Sequence, residues 1–320
     1  MAPPREPNRD APEHRLLACL RPQPPAPGEG IRLALWQGSG DAGTVDARDT
    51  NLARLAQVAE LAAGHGAQLL AFAELYLSGY IVTPELAHRL AEPCDGPSLQ
   101  QVAATARRHS LAIACPYPER AVVAGKERFY DAIALFDRDG RLLRNYRKTH
   151  LWGPDERRCW TAGYQEPEEG PALTVQSING VGVGLLNCYE AEFPELTRRL
   201  ALLGARLVLI PTAADAWAVL SDGQRTDRPY PDVSRTLLPA HAFENDCFIA
   251  YANRCGEERV AGSPMAAYLG NSVVVGPHGD LLVAARPEPT LLLADCRPGE
   301  YGPTHPAGTR YLDDRRPELY

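Results

Sequence analysis

The chain has 320 residues, 45% of them hydrophobic, and a formal net charge of -7, which is enough length and apolar content for one large domain with a sizeable core. Its basic residues occur in runs no longer than pairs, so the composition argues against nucleic acid and anionic membrane surfaces as partners. No apolar run approaches the roughly 20 residues that span a bilayer, and the N-terminus lacks the apolar core of a secretory signal, so we expect a soluble, cytoplasmic protein.

Residues 1–30 are rich in Pro, Arg and Glu, and their only apolar cluster spans residues 16–20. Because so little apolar surface cannot offset the entropy lost on ordering, we predict a flexible N-terminal segment over residues 1–30. The folded domain is predicted over residues 31–320.

Strands and helices alternate from residue 31 onward. A strand over residues 31–37 precedes an amphipathic helix that begins near Asp49 and stops at Gly64 and Gly66, and a second strand follows over residues 68–73. A helix over residues 99–108 and a strand over residues 111–117 continue the pattern. This alternation predicts an α/β fold in which helices cover the sheet strands.

Each half of the domain ends in a predicted hairpin. The first has an Asp-Gly turn between strands at residues 129–136 and 142–147, which is a strong local hairpin signal. The second half has strands at residues 206–210, 247–253, 271–275 and 281–285, and a helix at residues 236–244.

Eight cysteines are scattered along the chain, at Cys19, Cys94, Cys115, Cys159, Cys188, Cys247, Cys255 and Cys296. In a long chain without an export signal, they are expected to be reduced thiols and not a disulfide framework. No CxxC pair, HExxH motif or histidine cluster supplies metal-ligand spacing, so no metal is predicted.

Cys188 stands at the junction between a buried strand over residues 181–186 and a helix that begins at Pro194. A thiol at such a corner is expected to be partly exposed and close to backbone N–H groups and a helix N-terminus, which lower a thiol pKa. The sequence therefore presents Cys188 as a candidate nucleophile. The alternative is a buried structural cysteine.

Two further charged residues stand at predicted strand ends. Glu74 follows the second strand among the neighbours Phe72 and Tyr80, which would desolvate its carboxylate and raise its pKa toward the range useful for an acid or base. Lys148 ends the first hairpin and could project a fixed positive charge into a cleft. The alternative for Glu74 is a solvated carboxylate in a loop, and the alternative for Lys148 is a charge on the protein surface.

Glu74, Lys148 and Cys188, in this order, resemble the Glu-Lys-Cys triad of the nitrilase superfamily of carbon-nitrogen hydrolases. The supporting motifs are Phe-Ala-Glu-Leu-Tyr-Leu-Ser-Gly-Tyr, Tyr-Arg-Lys-Thr-His-Leu, Leu-Leu-Asn-Cys-Tyr-Glu-Ala-Glu-Phe-Pro-Glu, Ile-Pro-Thr-Ala and Tyr-Ala-Asn-Arg-Cys-Gly. The resemblance covers nearly all of residues 31–320. It implies a four-layer αββα sandwich, a homodimer or larger homo-oligomer, and no cofactor.

The resemblance also implies a reaction, the hydrolysis of a small carboxamide to an acid and ammonia through a cysteine thioester. Cys188 would attack the amide carbon, and Glu74 would move the protons. Lys148 and the backbone N–H of Tyr189 would hold the oxyanion. Glu156, in the loop after the lysine, matches the family's second glutamate and would orient Lys148 or the substrate.

The chain departs from the family pattern at Ala73, often a proline, and at Asp131, often an asparagine, and neither change removes a catalytic group. Residues 216–233 look like an inserted loop, which leaves the substrate open. Candidate substrate-binding residues are Tyr80, Trp152, Glu192 and Trp217.

Two alternative activities remain within the family. True nitrilases typically have tryptophan after the nucleophile, where this chain has Tyr189, and carbamoyl-amino-acid hydrolases usually have an arginine shortly after it, where this chain has Ala191 and Glu192. If Glu192 faces the substrate, neutral or amine-bearing amides are favoured; it could equally cap the following helix or pair with an arginine.

Two alternatives remain outside it. A papain-like enzyme could pair Cys188 with His150 or His241, but the local signature is missing. A catalytically inactive binding scaffold is the other, and the intact triad argues against it.

Overall fold

Sixteen strands form the frame of residues 12–81 and 83–319, which are the residues described by the computed structural model. In chain order they are β1 (Arg15–Cys19), β2 (Ile31–Gln37), β3 (Leu69–Ala71), β4 (Ala112–Val123), β5 (Lys126–Phe136), β6 (Leu142–Arg147), β7 (Val175–Ile178), β8 (Val181–Leu185), β9 (Leu207–Pro211), β10 (Asp215–Ala218), β11 (Phe248–Ala252), β12 (Cys255–Val260), β13 (Ser263–Leu269), β14 (Val273–Val275), β15 (Leu281–Ala284) and β16 (Thr290–Cys296).

Six α-helices occur in the same part of the chain: α1 (Ala47–Gly64), α2 (Pro84–Leu90), α3 (Pro97–His109), α4 (Gly153–Cys159), α5 (Pro194–Leu202) and α6 (Leu237–Asn245). Four of them, α2 to α5, have proline in their first turn, where the missing N–H costs nothing. None of the described helices has the length and apolar character needed to cross a bilayer.

The strands form two large sheets and one small one. The first has the order β1-β16-β2-β3-β4-β5-β6 and the second the order β15-β14-β11-β9-β8-β7. Neighbouring strands β2, β3 and β4 run parallel in the first sheet, as do β8, β9 and β11 in the second. The small sheet has the order β10-β13-β12.

Side-chain alternation divides the apolar residues into layers. In β2, Ile31, Leu33 and Leu35 lie in the core between the two large sheets, together with Val183 and Leu209 of the second sheet. Residues of the opposite parity pack outward, because successive strand side chains point to opposite faces.

Helices cover both outer faces. The outward side chains of β2, Ala34 and Trp36, pack with α1 and α3, and α5 and α6 pack against the outer face of the second sheet. The layers are therefore helix, sheet, sheet and helix, and the predicted αββα sandwich is confirmed.

Most predicted elements are confirmed. The strand over residues 31–37 has the bounds of β2, and the predicted hairpin corresponds to β5 and β6. The sequence patterns missed β1, β7, β10, β12, β13, β16 and the short helices α2 and α4. Residues 216–218, at the start of the predicted inserted loop, belong to β10.

The predicted start of ordered structure at residue 31 needs correction. β1 pairs in parallel with β16 at the edge of the first sheet, and the backbone of Pro25 accepts hydrogen bonds from the side chains of Gln68 and Asn179. Backbone pairing orders this segment although its side chains are mostly exposed. Residues 1–11 of the predicted flexible segment lie outside the described residues.

Candidate active site

Glu74, Lys148 and Cys188 meet at one end of the two facing sheets. Glu74 follows β3, Lys148 follows β6 directly, and Cys188 follows β8. The carboxyl ends of parallel strands form one edge of a sheet, where ligand sites of α/β proteins are commonly built. All three side chains are buried, with exposures of 0%, 0% and 7%.

Lys148 is the centre of a cluster of carboxylates. Its Nζ lies 2.5 Å from Glu74 Oε1, 2.7 Å from Glu156 Oε1 and 3.7 Å from Asp131 Oδ2. Burial alone would lower the pKa of Lys148, but Glu156 and Glu74 raise it well above its usual value. The ammonium is thus held charged.

The same three carboxylates offer oxygens within 4.8 Å of one another. Such a group could hold a cation in another setting, but here the Lys148 ammonium already contacts two of the carboxylates and approaches the third. The position that a cation would take among these carboxylates is therefore occupied by the ammonium group of Lys148.

Cys188 occupies a strained corner. It has a φ of 52°, in the left-handed region that non-glycine residues rarely adopt, and it starts a short 3₁₀ turn, Cys188–Glu192, that precedes α5. Within this turn the Asn187 N–H donates a 2.7 Å hydrogen bond to Glu190 Oε2, and the Glu190 N–H donates to the Asn187 carbonyl oxygen at 3.2 Å. The predicted strand-to-helix corner is confirmed with one added turn.

The predicted exposure and low pKa of the thiol are wrong. Burial and the Glu74 carboxylate raise the pKa of Cys188 well above its usual value, and Lys148 and the Ala213 backbone N–H offset this only in part. The resting thiol therefore keeps its proton. A base next to it is needed for attack, and Glu74 is such a base.

Asp131 and Asn187 connect the two sheets beneath the cluster. Asn187 Nδ2 donates a 2.9 Å hydrogen bond to Asp131 Oδ1. Glu74 Oε2 and Asp131 Oδ2 are buried, and none of the residues that the structure describes gives either atom a hydrogen bond. Burial and Glu74 raise the pKa of Asp131 well above its usual value, so this side chain favours the protonated form, which can donate a hydrogen bond.

Glu190 is a site residue that the sequence did not single out. Its carboxylate accepts hydrogen bonds from the Asn187 N–H at 2.7 Å, the Tyr146 hydroxyl at 2.7 Å and the Thr149 N–H at 2.6 Å. It thus fastens the turn of Cys188 to the strand end of Lys148. The only sequence signal was the capping spacing from Asn187.

Glu156 lies in the first turn of α4 and not in a loop as predicted. Tyr80 donates its hydroxyl to Glu156 Oε1 at 2.6 Å, and the Trp152 N–H donates to Oε2 at 2.7 Å. Both oxygens are thereby satisfied, so the carboxylate is fixed against Lys148. Two predicted substrate-binding residues, Tyr80 and Trp152, are thus brought to the cluster.

Arg254 and Glu258 support the segment that carries Glu74, and no sequence pattern had assigned either of them a role. The Arg254 guanidinium donates to the carbonyl oxygens of Glu74 and Leu75, each at 2.7 Å, and lies 2.9 Å from Glu258 Oε1. Glu258 also accepts from the N–H groups of Tyr80 and Ile81. Arg254 and Glu258 are buried.

The remaining predicted residues, Tyr189, Glu192 and Trp217, contact other side chains. The Tyr189 ring packs edge-on against Phe193 at 5.0 Å. Glu192 accepts a hydrogen bond from the Tyr230 hydroxyl, and within residues 12–81 and 83–319 it pairs with neither an arginine nor the N-terminus of α5. Trp217 stacks with Arg225 at 3.9 Å and does not line the cavity at the cluster.

A cavity of about 420 Å³ opens beside this cluster. Tyr80 and Glu156 line it on the side of the cluster, whereas Glu74, Lys148 and Cys188 do not line it, and Trp152, Trp160 and Tyr268 contribute aromatic walls. This volume and lining suit a small organic molecule.

A family model, two protein sequences and a solved structure resemble this chain. The family model described as carbon-nitrogen hydrolase matches residues 32–306. A Pseudomonas protegens protein described as a hydrolase in the pqqF 5' region is 40% identical over 84% of this chain and 85% of its own length. An (R)-stereoselective amidase from Pseudomonas sp. is 35% identical over 73% of this chain and 74% of its own length.

A solved structure is also similar to this chain. It is a mutant amidase from Nesterenkonia sp. AN1 that shows covalent addition of the acetamide moiety of fluoroacetamide at its active-site cysteine. It is 31% identical, covers 91% of this chain and 96% of that one, and superimposes with a TM-score of 0.67.

Proposed function

The chain belongs to the carbon-nitrogen hydrolase family of the nitrilase superfamily and is a hydrolase of amide bonds, and from this premise we propose that Cys188, Glu74 and Lys148 hydrolyse a small carboxamide. The products are a carboxylic acid and ammonia. The observation that supports this assignment is the buried ammonium of Lys148, 2.5 Å from Glu74 and beside the Cys188 thiol.

The first half of the reaction forms a thioester. Glu74 takes the proton of Cys188 as the sulfur attacks the amide carbon, so the thiolate arises only in the presence of substrate. Lys148 and the backbone N–H of Tyr189 stabilise the oxyanion. Glu74 then returns the proton to the departing amine, the carbon-nitrogen bond breaks and the thioester remains.

The second half regenerates the enzyme. Glu74 removes a proton from a water molecule that attacks the thioester, and Lys148 again faces the oxyanion. The carbon-sulfur bond breaks, the thiolate regains a proton, and the acid leaves. No redox step or external electron carrier enters this balance.

Glu156 and Asp131 support these steps without reacting. Glu156, fixed by Tyr80 and Trp152, holds the Lys148 ammonium in place and balances its charge. Protonated Asp131 can donate to Glu74 Oε2, which has no other partner. That hydrogen bond keeps the second oxygen of Glu74 from being a buried, unsatisfied charge.

Hydrolysis of nitriles or of N-carbamoyl compounds remains a second-rank prediction, since Tyr189, Ala191 and Glu192 stand where those enzymes usually have other residues. A homo-oligomer and a cytoplasmic location also stay predictions from the sequence. The complete charge cluster around Lys148 argues against an inactive scaffold, because burying charged groups without use would be costly.

The test is ammonia release across a panel of amides, N-carbamoyl compounds and nitriles, with wild type and Cys188→Ala. We expect the wild type to release ammonia from amides and Cys188→Ala to release none. The matched control is Cys247→Ala, a buried cysteine in the outer core, which should keep its activity. Turnover by Cys188→Ala would sink the assignment of the nucleophile.

A further inference from the structure

A second carboxylate lies in the cavity, outside the cluster around Lys148. Asp215, the first residue of β10, lines the cavity and is 8% exposed. It pairs in register with Tyr268 of β13, which also lines the cavity, so the two side chains share a face of the small sheet. None of the described residues places a basic side chain within ion-pair distance of Asp215.

The other charges of the cavity are balanced. Glu156 is neutralised by Lys148 at 2.7 Å, and Arg158, which also lines the cavity, lies 3.6 Å from Asp155. Asp215 is therefore the uncompensated carboxylate of this lining. Burial raises the pKa of Asp215 above its usual value, and a bound cation would reverse that shift.

The position of Asp215 relates it to the nucleophile. The Ala213 backbone N–H lowers the pKa of Cys188, and Ala213 precedes Asp215 by two residues. Two residues of backbone span at most about 7 Å. Cys188 itself does not line the cavity, but Glu156 does and lies 2.7 Å from Lys148, so a small molecule held at the cluster can extend a short arm toward Asp215.

The aromatic walls of the cavity also suit a cation. Trp152, Trp160, Tyr80 and Tyr268 present aromatic surface to the cavity, and aromatic faces attract ammonium groups. A substrate carboxylate would meet only the unpaired negative charge of Asp215 in this part of the lining.

We propose that Asp215 is a substrate-binding residue and that this cavity selects small amides bearing a protonated amine. The inference rests on the proposed amide hydrolysis and names its substrate class. It moves the selection of charge from Glu192, whose carboxylate is engaged by Tyr230, to Asp215.

The test compares β-alaninamide with butyramide, which have the same shape and differ in an ammonium and a methyl group. The wild type should show the higher kcat/KM on β-alaninamide. Asp215→Asn should lower that value at least about tenfold, since a hydrogen bond to a charged group is lost. Its kcat/KM on butyramide should change far less.

The matched control is Asp227→Asn, which removes the same charge from an exposed position in the segment after β10. Its ratio between the two amides should equal that of the wild type. If Asp215→Asn keeps the wild-type ratio, or if the wild type prefers butyramide, the inference is overturned. If neither amide is hydrolysed, the proposed function itself fails.

A second measurement needs no variant. Propylammonium should inhibit butyramide hydrolysis by the wild type competitively, at a concentration at least about tenfold lower than 1-propanol requires. Equal inhibition by the two compounds would contradict a cation-binding role for Asp215, even if Asp215→Asn fails to fold.

Discussion

Lys148 combines full burial with a permanent charge, and its surroundings explain how. Two carboxylates at 2.5 and 2.7 Å offset a desolvation cost that would otherwise drive the proton off. An ammonium fixed in a site that excludes water stabilises a developing oxyanion more strongly than one exposed to solvent.

Lys148→Ala should therefore lower kcat by about 100-fold or more and change KM less, because the contact strengthens as the oxyanion forms. Steady-state ammonia release measures both constants. The chain has one other lysine, Lys126, which is exposed, and Lys126→Ala is the matched control. A loss confined to KM would contradict the role.

Asp131→Asn should make stability less sensitive to pH. Burial and Glu74 raise the pKa of Asp131 in the folded protein, whereas its unfolded value is about 3.9. Between these two values the folded state holds a proton that the unfolded state releases, so stability falls as pH rises. The asparagine variant lacks that loss.

Melting temperatures measured from about pH 5 to pH 8, which lies above the ordinary Asp value, check this linkage. The melting temperature of Asp131→Asn minus that of the wild type should increase with pH. Asp139→Asn, at an exposed position, should give a constant difference. Parallel curves for all three proteins would refute the buried proton.

The strand β12 acts on the active site from a separate sheet. Its residue Glu258 binds Arg254, which in turn binds the backbone of Glu74 and Leu75. Leu75 has a φ of 47°, a conformation that needs support from its surroundings. Arg254 and Glu258 are thus positioning residues for the base.

Glu258→Gln should lower both the melting temperature and kcat, because it leaves the Arg254 charge buried without a counterion. KM should change less than kcat, which separates loss of positioning from loss of substrate binding. Glu257→Gln is the matched control, since Glu257 is exposed next to it on the same strand. An unchanged kcat in a variant with reduced stability would assign Glu258 a structural role alone.

The strand β1 lies in the segment that its composition predicted to be flexible. Removal of residues 1–13 should leave melting temperature and activity unchanged, because β1 begins at Arg15. Removal of residues 1–20 should lower the melting temperature by about 3 °C or more, since it exposes the edge of β16. Equal melting temperatures for the two truncations would show that β1 adds nothing to stability.

The whole molecule hides most of its thiols. Six of the eight cysteines are buried, and Cys19 alone is exposed. Burial raises the pKa of Cys247 to about 12 and that of Cys159 to about 11, so these thiols are poor nucleophiles. Cys188 shares that burial but has Glu74 and Lys148 beside it and a cavity at the cluster.

Iodoacetamide, itself a small amide, should therefore alkylate Cys188 before the other cysteines, the exposed Cys19 included. Peptide mass spectrometry over time gives the order of labelling. A competing amide substrate should protect Cys188 and leave the rate at Cys19 unchanged. Labelling of Cys188 only after unfolding would contradict an accessible nucleophile.

The sequence by itself determined the alternation of strands and helices and the positions of Glu74, Lys148 and Cys188 at strand ends. These features depend on local periodicity, on turn residues and on proline at helix starts, all of which act over a few neighbouring residues. The sequence also determined the αββα class, through three motifs that resemble one family.

Only the tertiary structure decided what surrounds those three residues. Asp131 and Asn187 meet across the two sheets, Arg254 reaches Glu74 from the connection between β11 and β12, and Asp215 faces a cavity that Glu156 also lines. Each pairing joins residues far apart in the chain, which no local pattern encodes. The pKa of Cys188 also depends on residues far away in the chain. Burial raises it, and this effect outweighs the lowering that we predicted from the strand-to-helix corner.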